Sequence, residues 1–446
     1  MREGTPLRRS LGLTHATAMV VGTIIGASIF VQPSEITRLM PSVGGILLVW
    51  LAAGVLTIFG ALVCAELASA FPRTGGVYVF LKEAYSPAAG FLWGWAMFWC
   101  MHTGIIAAIA MVFARYAAHF VPLGDLGLRL TAVALILALS AVNFLGVRHG
   151  GLVQNLFTAA KLLAIAVLIL AGLFWSDAVP HAGAAEPGPV TDQGFLLSFL
   201  LALVAGLFAF GGWHMVTYTA GETRDASRTI PRALLLGTLI VTVCYAGLNA
   251  IYLRVLPLDA VRASTRVAAD AADALLGGGG ASLVAALVLV STFGAVNGII
   301  LSGPRVYYAM AEDGLLFRWL GAIHPRFQTP HRALALQAVW ASFLALTDSY
   351  RALFTRVVYT EWIFFALMAA GLLRLRRRPD YQPTWRVWGY PVVPVLFVLA
   401  SIVLVAVQVQ AEPRDSTEGL GLVLLGLPVY VLWSELKARS SSDRKP

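Results

Sequence analysis

Two stretches of this chain set helix-loosening residues inside apolar surroundings, and three ionisable side chains stand where such groups are rare. The first stretch reads Val20-Val21-Gly22-Thr23-Ile24-Ile25-Gly26-Ala27-Ser28-Ile29-Phe30, within an apolar run from about 11 to 31. Its two glycines, a β-branched Thr-Ile-Ile run and a small Ala-Ser pair weaken a helix locally. The second reads Gly206-Leu207-Phe208-Ala209-Phe210-Gly211-Gly212-Trp213-His214. In hydrocarbon, a freed backbone N–H or C=O costs several kcal/mol unless protein, water or a ligand satisfies it. A break is therefore tolerated mainly where it lines a cavity. The chemistry such a pair offers suits a zwitterion. Bare N–H groups at a half-helix start match a carboxylate, and unwound carbonyls accept from an ammonium. The alternative is close packing, because small-xxx-small glycines are common between membrane helices. The first stretch alone reads as packing; its recurrence in the second turns the balance towards binding.

Lys161 lies about nine residues into an apolar segment that begins near 153. A lysine at that depth costs roughly 2.5–3.5 kcal/mol on insertion scales, which favours a functional pairing over snorkelling to the nearer interface. Glu361, followed by Trp362, also falls in an apolar run. An intramembrane carboxylate there binds a cationic group, relays a proton, or sits protonated and hydrogen-bonded between helices. Trp362 reads equally as pocket wall or as plain packing. His214 directly follows the second break, and His102 is ambiguous. Glu66, Arg305 and Glu312 fall near span ends, where structural ion pairs are expected.

The elements that position these residues follow from composition. Of the 446 residues, 59% are hydrophobic and only 12% charged, against roughly 25% charged in soluble proteins. With a mean hydropathy of +0.78, this is a polytopic membrane chain. No cleavable signal peptide is expected, since Met1 to Ser10 is polar and basic and the first apolar run is of span length. Twelve spans are expected, at about 11–36, 44–70, 88–119, 128–146, 153–175, 194–219, 232–256, 282–310, 333–348, 353–374, 390–410 and 419–436. The polar connections 176–193 and 257–281 read as loops. Cys64, Cys100 and Cys244 all fall inside spans, so neither a disulfide framework nor a metal site is expected. With the N-terminus inside, cytoplasmic segments carry 22 Lys/Arg and external ones 9, with Lys161 in mid-span. The positive-inside rule therefore puts both termini in the cytoplasm. The basic excess reads as topology, not nucleic-acid binding.

Spans 1 and 6 are both broken, five apart, as expected of two five-span repeats in inverted topology. At this point the residues carry a resemblance. Gly22-Thr23-Ile24-Ile25-Gly26-Ala27-Ser28-Ile29-Phe30 resembles the first-helix motif of the amino acid–polyamine–organocation (APC) superfamily of permeases. Phe208 to Trp213, with Glu222 and Arg228-Thr229-Ile230-Pro231-Arg232-Ala233, is similar to its sixth helix and following loop. Glu66-Leu67 through Phe71-Pro72-Arg73-Thr74-Gly75-Gly76-Val77-Tyr78 resembles the second-to-third helix segment. Ser291, Asn297-Gly298 and His324-Pro325 to Thr329-Pro330 resemble the eighth helix and its loop. The match runs from about 10 to 375 and is nearest the L-type (LAT-like) branch.

The resemblance implies an all-α fold of twelve transmembrane helices, a LeuT-type 5+5 inverted repeat with helices 1 and 6 broken. It makes the chain one transporter domain: repeat 1 over 11–175, repeat 2 over 194–374, two added helices over 390–436 and a cytoplasmic tail over 437–446. It puts the substrate carboxylate on the amides around Gly26, Ala27 and Ser28, and the amino group on carbonyls near Ile24, Phe208 and Gly211. Many members read Ser-Gly where this chain has Ala27-Ser28, so Ser28 narrows the floor. Phe208 matches a gating aromatic whose closure covers the ligand; the alternative is a lipid-facing or core phenylalanine. Lys161 falls where sodium-coupled relatives hold a cation, with Ser291 as partner; it would replace sodium as a fixed ammonium or, if it deprotonates, carry a coupled proton. His214 stands where L-type relatives often carry an amide, and Glu361-Trp362 matches an Asn-Trp pair at the side-chain end of the pocket.

The function so implied is sodium-independent transport of L-amino acids, first of all neutral ones, as an exchanger or a proton-coupled symporter. The alternative is a cationic amino acid or polyamine carrier, which Glu361 permits; a transporter-fold sensor would append a signalling domain. An enzyme is not expected, because no nucleophile, base or nucleotide loop is spaced for one. No cofactor, nucleic acid or disulfide-linked accessory chain is expected, since the loop near 119–127 has no cysteine. Short loops suggest a bacterial inner membrane.

Overall fold

Backbone buried in hydrocarbon must be satisfied within its own segment or in a closed barrel. The chain takes the first course. A computed structural model describes residues 7–175, 194–347 and 359–442. Apart from one isolated pairing between Leu11 and Thr223, their regular structure is helical. Nine helices among them are long and apolar enough to cross a membrane, and Leu13–Ile24 with Ser28–Leu39 makes a further crossing bent by 45°. We label that pair α1 and α2. They are followed by α3 (Val43–Ala70), α4 (Val77–Ala84), α5 (Pro87–Ala117), α6 (Asp125–Phe144) and α7 (Val147–Trp175). Next come α8 (Phe195–Ala209), a 3₁₀ segment over Trp213–Glu222, α9 (Ala226–Val255), α10 (Leu258–Ala263) and α11 (Val267–Leu276). The chain ends with α12 (Gly280–Glu312), α13 (His331–Thr347), α14 (Thr360–Leu375), α15 (Val392–Ala411), α16 (Pro413–Leu424) and α17 (Gly426–Ser442).

Helix starts are written locally. The Ser42 hydroxyl accepts from the Gly45 amide at the head of α3, and Ser86 caps α5 just before a proline at its first position. Small residues set the closest approaches. A Cβ on Gly54 of α3 would lie 2.4 Å from Thr242 of α9, so only glycine lets these helices meet. The centre of the bundle is α12, 72% buried over its most apolar window, whereas the α16–α17 region, at 17%, lies on the rim.

Several expected boundaries move. The connection 257–281 is not a plain loop. It holds α10 and α11, whose Val261, Val267, Ala268, Ala271 and Ala272 are buried and whose Asp259 and Asp270 sit in first turns, where the helix dipole favours an acid. The last expected span is divided between α16 and α17. A π-helical turn over Met97–Met101 interrupts α5. Helix α7 starts at Val147, so Lys161 sits at its middle and not nine residues from its end. The expected loop 176–193, the start of the expected tenth span and the last four residues of the tail lie outside the described residues.

Candidate functional site

The first break begins where the Ile25 amide makes the last α-helical bond, to Val21 O at 2.9 Å. The Gly26 amide then turns back to Ile24 O at 2.8 Å, and the helix restarts at Ser28. The amides of Ala27 and Ser28 thus stand at a helix start, where N–H groups have no intrahelical partner. The Gly26 amide, expected among the carboxylate donors, is already engaged. Gly22 and Gly26, alike in sequence, have different tasks. A Cβ on Gly22 would fall 1.8 Å from Gln154 Nε2, so Gly22 is a packing glycine. A Cβ on Gly26 would meet only Ala295, at 3.9 Å, and Gly26 faces open space.

At the second break α8 ends at Ala209, and Gly212 takes φ +97°, a backbone favoured by glycine. The Gly211 amide donates to Phe208 O at 3.2 Å. The breaks are tied to each other. Thr23 Oγ1 reaches Gly212 O at 3.2 Å, and the Tyr245 hydroxyl, on α9, contacts both Ile24 O (3.2 Å) and Ala209 O (3.1 Å). Tyr245 is fully buried against Trp50 and Phe210. Sequence reading missed it, because a tyrosine in an apolar span carries no motif.

Lys161 anchors the first break from behind. Its ammonium donates to Gly22 O (3.1 Å), Ile25 O (2.6 Å) and Ser291 O (2.9 Å), matching three donors to three carbonyls in a fully buried site. Snorkelling is excluded by that geometry. Ser291 pairs with Lys161 through its carbonyl, while its hydroxyl reaches Ile25 O and Gly26 O, each at 3.0 Å. Asn297 extends the brace, donating to Gln154 Oε1 at 2.9 Å and Gly150 O at 3.0 Å.

Both breaks open onto a cavity of about 600 Å³, a size suited to a small ligand. Ile24, Gly26, Ala27, Ser28, Phe208, Gly211, Glu361 and Trp362 all line it. Phe208 is 37% exposed, so here it stands on the wall and does not seal the cavity. His214 departs from expectation. It does not line the cavity but is buried behind it among the rings of Trp93, Trp213, Tyr218 and Phe365. Its Nε2 lies 4.0 Å from Glu361 Oε1, beyond hydrogen-bond range, and neither ring nitrogen has a partner. His102, by contrast, contacts Ile299 O at 2.8 Å through Nε2.

The cavity reaches the surface at the exposed Glu35, and Gln32, Leu39, Leu201 and Gln408 also line it. The opposite face is shut. There the Ser10 and Leu11 amides donate to Glu222 O at 2.9 and 3.0 Å, and the Arg224 amide returns to Leu11 O at 2.8 Å. Beneath them Arg305 grips the Glu222 carboxylate with two bonds, at 2.7 and 2.9 Å, both side chains buried. Glu66 pairs likewise with Arg376 at 2.7 and 2.5 Å. Of the three expected ion-pair residues, Glu312 alone forms none among the described residues.

A family model described as amino acid permease matches residues 11–431. The chain belongs to that family. The permease is 31% identical over 440 residues to the serine/threonine exchanger SteT of Bacillus subtilis, covering 98% of this chain and 99% of the relative. It is 32% identical over 444 residues to the human large neutral amino acids transporter small subunit 2, across 96% of this chain and 81% of that one. The human b(0,+)-type amino acid transporter 1 is 32% identical over 447 residues, 97% and 89% of the two chains. The APC resemblance therefore holds along nearly the whole permease, which is a multi-pass membrane protein.

Proposed function

We propose that the permease is a sodium-independent secondary transporter of neutral L-amino acids, working by alternating access as an exchanger or a proton-coupled symporter. The observation that carries this is the convergence of two helix breaks on one cavity, with donors and acceptors placed for a zwitterion. The substrate carboxylate meets the free amides of Ala27 and Ser28. The amino group meets carbonyls at Ile24, Phe208 and Gly211. Lys161 supplies a fixed ammonium to the carbonyls a bound cation would otherwise occupy, which removes the need for sodium. The frame is a LeuT-type fold, with repeats over 11–175 and 194–374, two added helices over 390–436 and a tail over 437–446. The permease sits in a bacterial inner membrane with both termini cytoplasmic, so the open mouth is external and the Glu222–Arg305 latch internal. It has no covalently attached accessory chain: Cys64 and Cys100 are buried and Cys244 is partly buried.

The runner-up is a cationic amino acid or polyamine carrier, favoured by the carboxylate of Glu361 on the cavity wall. Uptake of radiolabelled amino acids into proteoliposomes tests both readings. Neutral substrate is expected to enter with or without sodium, and counter-substrate or a pH gradient is expected to drive it. Uptake of arginine or a polyamine with no neutral amino acid overturns the proposal.

A further inference from the structure

The cavity has lining residues that the zwitterion site does not use. Among the described lining residues Ile105, Ala108, Ile109, Ile299, Trp362 and Phe365 are apolar, and away from the exposed Glu35 a single carboxylate, that of Glu361, lines the cavity with them. The residue is 7% exposed and accepts no side-chain hydrogen bond among the described residues. Behind it stands the fully buried His214 imidazole, 4.0 Å away and with both nitrogens unpartnered. Among the described residues no Lys or Arg lines the cavity, and the only other charged lining residue is Glu35 at the mouth.

Buried polar groups without partners are costly, and buried charge more so. A carboxyl and an imidazole at this distance carry no net charge when they hold one proton between them, whichever of the two bears it. A cationic side chain brought to that pair is balanced only if the pair gives up its proton, and otherwise leaves a positive charge in the protein interior. An aliphatic side chain leaves the carboxyl without a partner. A neutral hydrogen-bond donor satisfies the carboxyl and leaves the charge balanced.

We infer that Glu361, backed by His214, selects substrates whose side chains carry a neutral hydroxyl or amide donor. This rests on the amino acid transport proposed above. His214 is a positioning residue: it sets the charge state and placement of Glu361 without touching substrate. Steric fit cannot imitate this selection, because threonine and valine have nearly the same shape. A site built to hydrogen-bond a group rejects the analogue lacking it strongly, by roughly 10⁴–10⁵ in the best cases, whereas an apolar pocket separates such isosteres weakly.

The test is competition for uptake in proteoliposomes by matched pairs, threonine against valine and glutamine against methionine, with lysine and arginine alongside. The wild-type protein is expected to favour the donor of each pair at least tenfold and to prefer glutamine to lysine. Glu361→Leu is expected to bring the threonine/valine ratio close to one. Glu361→Gln keeps an acceptor and is expected to retain much of it. His214→Phe is expected to lower the ratio while Glu361→Gln/His214→Phe falls no further than Glu361→Gln. Equal competition within the wild-type pairs overturns the inference while leaving amino acid transport intact. Preference for lysine or arginine overturns the charge argument. Failure of every amino acid to enter overturns both the proposed function and this selector. The wild-type ratios decide without any variant, so a misfolded variant does not rescue the idea.

Discussion

Replacing Lys161 by Met removes the ammonium and keeps most of the stem, and the structure sets the size of the effect. Three charge-assisted bonds are lost, to Gly22 O, Ile25 O and Ser291 O. The loss is uneven. Ser291 O stays in the ladder of α12, and Ile25 O keeps the Ser291 hydroxyl at 3.0 Å. Gly22 O is stranded, because the amide that would bond it in an unbroken helix, that of Gly26, donates to Ile24 O. A stranded buried carbonyl costs about 1–3 kcal/mol, and each weakened charge-assisted bond about 1.5 kcal/mol. The total is about 4–6 kcal/mol. Removing a buried ammonium returns roughly 2.5–3.5 kcal/mol on insertion scales. The net loss, about 1–3 kcal/mol, falls entirely on the first break. At 1.4 kcal/mol per decade, uptake should fall about tenfold to a hundredfold while melting in detergent drops by only a few degrees. Proteoliposome uptake, with sodium replaced by choline, measures it. Wild-type rates in Lys161→Met, or sodium stimulation of the unmodified protein, would refute the reasoning.

Tyr245→Phe removes one hydroxyl from between Ile24 O and Ala209 O; uptake should fall about tenfold with little change in expression, and an unchanged rate would deny the coupling of the two breaks. Gly22→Ala should cost about 1–3 kcal/mol of stability, since its Cβ would collide with Gln154, whereas Gly26→Ala should melt like wild type and raise KM; thermal scans and uptake kinetics together check this contrast. Glu222→Gln leaves Arg305 buried without a counter-charge and should destabilise the protein by about 3–5 kcal/mol, while Glu222→Leu/Arg305→Met recovers most of that in the same melting assay.

The sequence exposed the fold class because every long apolar run in a bilayer has one cheap solution, the helix. It exposed the breaks because glycine pairs are visible, but it did not separate Gly22 from Gly26. Spacing alone cannot say which faces Gln154 and which faces a cavity. Lys161 and Glu361 were legible as costly charges, and their partners were not: Lys161 bonds only to carbonyls, which every residue has. His214 misled for a related reason. Its position beside the break pointed to the cavity, whereas the 3₁₀ turn starting at Trp213 carries the ring into the aromatic packing behind. Helices α10 and α11 were missed because their alanine-rich faces are too short and too polar to register as spans.

A count of donors and acceptors explains why the site favours a zwitterion over a simple amine. Around the first break, Lys161 uses all three of its donors, and the single hydroxyl protons of Ser291 and Tyr245 are each shared between two carbonyls. On the ligand side Ile24 O has the Gly26 amide and only a share of the Tyr245 hydroxyl, and Phe208 O has the Gly211 amide, so each carbonyl keeps capacity for an incoming ammonium. On the other side the Ala27 and Ser28 amides are donors without acceptors, at the positive end of α2. A ligand that matches both excesses leaves nothing unpaired, whereas an amine lacking the carboxylate leaves two desolvated N–H groups behind. At about 1 kcal/mol or more for each, a decarboxylated analogue should compete at least tenfold more weakly than its parent amino acid. Competition by an amino acid and its amine, measured side by side, checks this, and equal potency would show that the broken-helix amides do not hold the substrate.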